Sequence, residues 1–365
     1  MSRGDGVLLE IGLGLAGVAF VLSSLLGGLA RRFALQLGFL DMPGGHKSHR
    51  SPVPLGGGVA IWLATALVLG ASGLTVVLAG DRLPTSIRSH VGGLYSRSGE
   101  LVLIFALATI IMIMGLIDDR RTLRWQLRLG IQFVCAAVLA ASGVRVTLFG
   151  PFTDPVIGGG VTVLWIVGLT NSFNMLDNMD GLAASVGLIA ASLFCAAQAA
   201  VGSLFAPAVL LILVGALGGF LVHNHAPARL YMGDAGSNFL GFLLGAMTVV
   251  GTFAQEGVDS PYGVLTPLLV MAVPLYDTSS VVLIRIREGR SPFQGDRRHF
   301  SHRLVARGLT PPQAVWTIDL VTLAGGLGAL LLHRLDAWGA GVVLVQTCCL
   351  LGIVAILEAA PGRWE

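Results

Sequence analysis

Charge is what this sequence has least of. Asp, Glu, Lys and Arg make up 12% of its 365 residues, against about 25% in a soluble globular domain. Hydrophobic residues make up 54%, and mean hydropathy is +0.81. A water-soluble fold is excluded. The four cysteines, Cys135, Cys195, Cys348 and Cys349, all lie in apolar runs. They form neither a disulfide framework nor a metal-binding spacing and read as membrane-packed side chains. Internal repeats and low-complexity segments are lacking, apart from a general richness in Gly and Leu. A short signal-peptide core is lacking too. The first apolar run, Val7 to Ala30, exceeds the about 7–15 residues of such a core, so it reads as the first membrane span.

What is present is a series of apolar runs near the about 20 residues that a spanning helix needs. Eleven are expected: 7–30, 57–79, 100–117, 128–143, 158–174, 182–201, 205–223, 236–254, 264–284, 313–333 and 337–358. The chain therefore reads as a single all-α polytopic integral membrane domain spanning residues 1–365. Its fifty glycines suit close helix packing in lipid. The alternating segment Val144 to Asp154 suggests a short hairpin. Basic residues set the orientation, since they concentrate on the cytoplasmic side. Segments 31–56, 118–127, 175–181, 224–235, 285–312 and the tail, counted with their helix ends, hold seventeen of the 23 Lys and Arg residues. That places the amino terminus outside and these segments in the cytoplasm.

Polar residues next to hydrocarbon are costly and mark function by default. The densest cluster is Asn171 to Leu182, NSFNMLDNMDGL, with Asn171, Asn174, Asp177, Asn178 and Asp180. Asp118 and Asp119 end the third run, Asp234 sits between glycines in YMGDAGSN, and Asp277 lies in PLYDTSS. Two basic loops carry His46, Lys47 and His49, and Arg297, Arg298, His299, His302 and Arg303. The orientation puts every one of these groups on the cytoplasmic face. Taken singly, each has a plainer reading. Asp118 and Asp119 suit a solvated helix end, Asp277 can satisfy backbone freed by Pro274, and Arg297 and Arg298 suit membrane anchoring. Together they suit phosphate chemistry. Mg²⁺ takes one or two carboxylates plus substrate phosphates, while Arg and Lys hold the remaining phosphate oxygens. A carboxylate site at the membrane surface fits one water-soluble substrate and one lipid phosphate.

GLIDD, NSFNMLDNMDGL, FLVHNHAPARLYMGDAGS, PLYDT and DRRHFSHRL, in this order, together with DMPGGHKSHRSPVPLGGG, resemble the polyprenyl-phosphate N-acetylhexosamine-1-phosphate transferase family. The resemblance runs from about Asp41 to Leu304 and implies the reaction. A polyprenyl phosphate such as undecaprenyl phosphate attacks the β-phosphate of a UDP-N-acetylhexosamine, UMP leaves, and Mg²⁺ is required, with Mn²⁺ as a substitute. The resemblance also implies the roles. Asp118 and Asp119 match the acidic pair at the acceptor phosphate, and Asp234 matches the metal ligand, with Asp118 sharing the ion. Asn174, Asp177 and Asp180 match the group lining the nucleotide and metal site. Lys47 matches a phosphate-side lysine. Tyr231 matches an aromatic at the uracil, and Asn224 an amide in the same segment. Arg297, Arg298, His299 and His302 match the substrate-binding motif of the last large loop.

That last motif divides the family. Its spacing, with Phe300 and Ser301 between His299 and His302, fits the N-acetylglucosamine branch, although Ser301 stands where that branch has a histidine. Ser301 can donate a hydrogen bond but carries no charge. The expectation is transfer of N-acetylglucosamine 1-phosphate, starting a lipid-linked envelope glycan at the inner membrane, with no nucleic acid involved and a homodimer left open. The alternatives are the phospho-MurNAc-pentapeptide translocase branch and, from another class, an ion-coupled transporter. The transporter fits less well, because its sites lie near the bilayer midplane between repeated halves.

Overall fold

The computed structural model describes residues 3–42, 52–79, 82, 85–146, 154–255, 257–292 and 298–359. Lys47, His46, His49 and Arg297 lie outside the described residues, as do 147–153, most of the expected hairpin.

The apolar runs fold as helices: α1 (Arg3–Leu37), α2 (Gly57–Ala79), α3 (Thr85–Arg120), α4 (Trp125–Ala141), α5 (Pro155–Leu176), α6 (Leu182–Ala200), α7 (Phe205–Asn224) and α8 (Gly233–Val250). After these come α9 (Thr266–Val270), α10 (Ala272–Arg287), the short α11 (Phe300–Ala306), α12 (Pro311–Ala329) and α13 (Ala337–Ala359). Among the described residues, eight helices are long and apolar enough to cross a membrane. The segments Pro261–Val270 and Ala272–Arg287, bent by 58°, make a ninth if they count as one span. Two of the eleven expected spans fall short. Helix α4 has 17 residues, about 26 Å at 1.5 Å per residue. Helix α8 has 18 and carries Asp234, Ser237 and Asn238 in its first two turns. The apolar pattern finds both helices, but it cannot separate burial against lipid from burial against protein.

Helix α8 is the centre of the molecule. Every residue from Ala235 to Thr248 is buried, and α2, α3 and α5 pack around it. Glycines permit that closeness. A Cβ on Gly115 would strike the Asp234 carbonyl, one on Gly58 the backbone of Gly236, and one on Gly241 that of Leu169 and Thr170. On the far side, α1 and α7 pack by the same device, Gly215 meeting Ala16 and Gly219 meeting Phe20. Dispersion between closely approaching backbones, rather than hydrophobic expulsion, holds helices together in lipid.

Local chemistry sets the helix starts. Asp154 accepts from the Val156 and Ile157 N–H groups ahead of Pro155, and Thr310 and Gln313 form a capping box at α12. Two extended pairs, β1 (Leu40–Asp41) and β2 (Val53–Pro54), run antiparallel with Leu40 opposite Pro54. Beyond them the chain binds the segment leading into α8. The Tyr231 N–H donates to the Pro54 carbonyl at 2.8 Å, Gly57 N–H to Tyr231 at 2.9 Å, and Gly58 N–H to Met232 at 3.0 Å.

Candidate active site

Helix ends and the loops beside them enclose a cavity of about 610 Å³. Asp118 and Asp119 come from α3, Arg128 and Leu129 from α4, and Asn171, Asn174 and Met175 from α5. The turn after α5 supplies Asp177, Asn178 and Asp180, and the approach to α8 supplies Tyr231, Gly233 and Asp234. Asp41, Arg285, His299 and His302 complete the wall. Four stretches far apart in sequence, read as one site from their polarity, thus meet in one cavity.

Asp119 builds the site more than it decorates it. Its Oδ1 accepts from the Asp234 N–H at 2.8 Å and its Oδ2 from the Ala235 N–H at 3.1 Å. A carboxylate on two free N–H groups at a helix start is favourable both as hydrogen bonds and against the helix dipole. Gly233 makes this possible, because it takes φ +70° and a Cβ there would strike the Asp119 carboxylate. Asp234 is thereby fixed at its backbone. Its Oδ1 receives the Asn174 amide at 2.7 Å, and its Oδ2 lies 3.6 Å from Arg128.

Arg128 is the residue that the sequence reading missed. It donates to Asp118 Oδ2 at 2.6 Å and to Asn174 Oδ1 at 3.3 Å while facing Asp234. It sits at the start of an apolar run, where an arginine also reads as an anchor, and only the fold brings it onto two carboxylates. Behind it a buried polar chain links α5, α4 and α8. Asn171 donates to Gln132 at 2.6 Å, Gln132 to Asn238 at 3.1 Å, and Asn238 to the Asp234 carbonyl at 2.7 Å.

Three expected roles change. Asp118 does not suit direct metal ligation here. Its side chain is 2% exposed, and both oxygens are engaged, Oδ1 by the Leu123 N–H at 2.6 Å and Oδ2 by Arg128. Asn224 is not at the cavity. It is 2% exposed and spends its amide on the backbone, accepting from Gly181 N–H at 3.1 Å and donating to Leu230 at 3.0 Å. It clamps the two loops that carry Asp180 and Tyr231. Arg298 pairs with Glu288 at 2.7 Å and does not line the cavity.

Asp180 accepts from the Ala228 N–H at 2.9 Å and from the Tyr231 hydroxyl, tying the same two loops together. Burial, then the Asp180 charge and this hydrogen bond, raise the Tyr231 pKa, so the phenol stays neutral. His299 is 6% exposed. Its Nδ1 meets Asp277 Oδ2 at 2.9 Å, and Asp277 Oδ1 accepts the Phe300 N–H at 2.6 Å. The carboxylate thus orients the ring and caps α11. Ser301 turns its hydroxyl to Asn178 Oδ1. The position that departs from the family histidine therefore docks α11 on the Asn178 turn.

Asp177 is the exception in this bonded set. Among the described residues its carboxylate makes no hydrogen bond or ion pair. Burial raises its pKa well above the usual carboxylate range, and the charges of Asp234, Asp119 and Asp180 add to this. An oxygen ligand surrounded by like charge fits a hard divalent cation. No three of His, Cys, Asp and Glu come together as a complete metal cage among the described residues. Mg²⁺ needs none, since one or two carboxylates, waters and substrate phosphates suffice. Asp177 and Asp234 are the two carboxylates best suited to hold it.

Known proteins resemble this chain along most of its length. The profile of glycosyl transferase family 4 matches residues 101–252, the stretch running from α3 through α8. The chain is 34% identical over 346 residues to the decaprenyl-phosphate N-acetylglucosaminephosphotransferase of Mycolicibacterium smegmatis, covering 87% of this chain and 81% of that one. It is 28% identical over 331 residues to a probable undecaprenyl-phosphate N-acetylglucosaminyl 1-phosphate transferase of Bacillus subtilis, covering 88% and 86%. Identity to the undecaprenyl-phosphate alpha-N-acetylglucosaminyl 1-phosphate transferase of Yersinia pestis is 28% over 328 residues, covering 83% and 78%.

Proposed function

This chain belongs to glycosyl transferase family 4, and from that premise we propose that it transfers N-acetylglucosamine 1-phosphate to a polyprenyl phosphate in the membrane. The donor is UDP-N-acetylglucosamine. An acceptor phosphate oxygen forms a bond to the β-phosphorus, the bond from that phosphorus to the bridging oxygen breaks, and UMP departs with the bridging oxygen. The product is a polyprenyl diphosphate sugar, the first intermediate of a lipid-linked envelope glycan. The reaction takes place on the cytoplasmic side of the inner membrane, with the amino terminus outside.

The observation carrying this reading is a carboxylate-walled cavity at the ends of apolar helices, with Arg128 and two histidines in the same wall. Mg²⁺, held by Asp177 and Asp234, would neutralise charge on the diphosphate when bound. Arg128 holds Asp234 in its rotamer and offsets the charge of Asp118. Tyr231 and Asp180 present a neutral hydroxyl and an acceptor to the nucleotide. His299, oriented by Asp277, offers its other ring nitrogen to the donor phosphates or sugar. A phosphate monoester loses its second proton near pH 6, so the acceptor is already largely ionised at neutral pH. Neither Asp118 nor Asp119, both committed to other bonds, is needed as a strong base. Positioning then supplies most of the rate.

The test is UMP release from UDP-N-acetylglucosamine by purified protein with and without undecaprenyl phosphate. Release is expected only with the lipid and Mg²⁺, and chelation should abolish it. Asp234→Asn should insert normally and lose at least ~10³-fold in turnover, the scale of removing one transition-state electrostatic group. Near-normal Mg²⁺-dependent turnover in that variant would refute the metal assignment, and lipid-independent UMP release the acceptor.

A further inference from the structure

The last helix has no expected role in the site, and only a small part of α13 is buried. Its buried positions are Ala340, Val343, Thr347, Val354 and Glu358, a single narrow stripe at helical spacing. Four of these are small or apolar. The fifth is a carboxylate, 8% exposed, in the last turn.

Glu358 joins three elements. Its Oε2 lies 3.1 Å from Arg303 on α11 and accepts the Tyr276 hydroxyl on α10 at 3.2 Å. Its backbone carbonyl accepts from Arg307, just past α11. Arg303 also donates to Ser280 of α10 at 2.7 Å. Tyr276 packs edge-on against Phe300, with centroids 6.0 Å apart, and precedes Asp277, which holds His299. Each neighbour of Glu358 therefore leads to α11, whose start carries the two cavity histidines. Helix α11 is only seven residues long, too short to be stable alone, so its placement depends on what grips it. Asp277 and Asn178 grip its start, and Glu358 grips it through Arg303 and, just past its end, Arg307.

A buried ion pair is a poor device for stability, because desolvation offsets most of its attraction. What it does supply is a defined geometry. We infer that Glu358 is a positioning residue of the active site: through Arg303 and Tyr276 it fixes α11 so that His299 and His302 face the substrate. The inference rests on the transferase reading for its kinetic consequence only. The nucleotide sugar arrives from the water side, where segment 298–306 lies, so its binding is the step affected.

The experiment compares Glu358→Ala, Glu358→Gln and, at the other end of the same helix, Asp336→Asn, in the full-length protein. Glu358→Ala is expected to raise KM for UDP-N-acetylglucosamine about tenfold while changing kcat and the KM for undecaprenyl phosphate less than threefold. Glu358→Gln keeps an acceptor for Tyr276 and should fall in between, and Asp336→Asn should match the parent. Combining Glu358→Ala with His302→Ala should cost less than the product of the two separate effects, because both act through one element. Hydrogen exchange needs no turnover. In Glu358→Ala, amides of residues 300–306 should exchange about tenfold faster while those of α8 stay unchanged. Unchanged exchange at 300–306, a uniform rise across the protein, or additive kinetic effects would overturn the inference. If the parent transfers nothing from any sugar nucleotide, the function fails, and the exchange result still decides the role of Glu358.

Discussion

Asp177 and Arg128 mark opposite charge situations within one cavity. Asp177 is a carboxylate with no partner among the described residues and a raised pKa. The folded state therefore binds its proton more tightly than the unfolded chain does, and stability contributed at low pH is lost as pH rises above the usual carboxylate value of about 4. Asp177→Asn removes that penalty. Without added cation its thermal midpoint should exceed the parent's by more at pH 8 than at pH 5, while transfer is lost. Melting in detergent at the two pH values checks the sign, and an equal shift at both would show that the charge is not responsible. Arg128 does the reverse by compensating Asp118 and Asp234. Arg128→Ala leaves the Asp118 carboxylate buried and unpaired, at a cost of about 3 kcal/mol, and should lower turnover by ~10²-fold. Arg128→Lys should recover only part of the activity, since an ammonium cannot serve Asp118 and Asn174 from one planar fork. Steady-state kinetics and melting on both variants test this.

Among the elements, the start of α8 decides most. It is held by the Asp119 carboxylate from α3, by strand-like bonds from the 54–58 segment, and by Gly233 at φ +70°. Gly233→Ala introduces an unfavourable backbone and a Cβ against Asp119, at about 1–3 kcal/mol, and displaces Asp234 in the process. Activity should fall further than stability, by at least ~10²-fold, with the protein still extractable as a monodisperse species. Asp119→Asn keeps the shape but offers one acceptor oxygen in place of two, and should be milder in stability than Asp119→Ala. Thermal midpoints of the pair rank the two losses, and a reversed order would deny the capping role.

For the whole molecule, the expected orientation places segment 298–306 and the outer end of α3 on opposite sides of the membrane. On a background without the native cysteines, Arg298→Cys should react with an impermeant maleimide only from the cytoplasmic side. Tyr95→Cys, at a 51% exposed position, should react only from outside. Labelling of both from one side would refute the topology. A missing α4 or α8 crossing is the way such a result would arise, since those two helices lack the length or apolarity of a span.

The sequence by itself determined the helices, their apolar lengths and the polar stretches that break them. Carboxylates beside hydrocarbon are too costly to be incidental, so Asp118, Asp119, Asp177, Asp180 and Asp234 were legible as one site. Residue type and position cannot say which oxygens are already taken. Only tertiary structure turned Asp119 into the cap of α8, committed Asp118 to Arg128 and Asn224 to two backbone loops, and left Asp177 without a partner among the described residues. It alone showed that Arg128, unremarkable in an apolar run, reaches the site, and that Glu358, at a helix end, pairs with Arg303 of α11. The physical reason is range. Hydrophobic cost is paid locally and is written in the sequence, whereas a charge is satisfied by whatever the fold brings within about 3 Å of it.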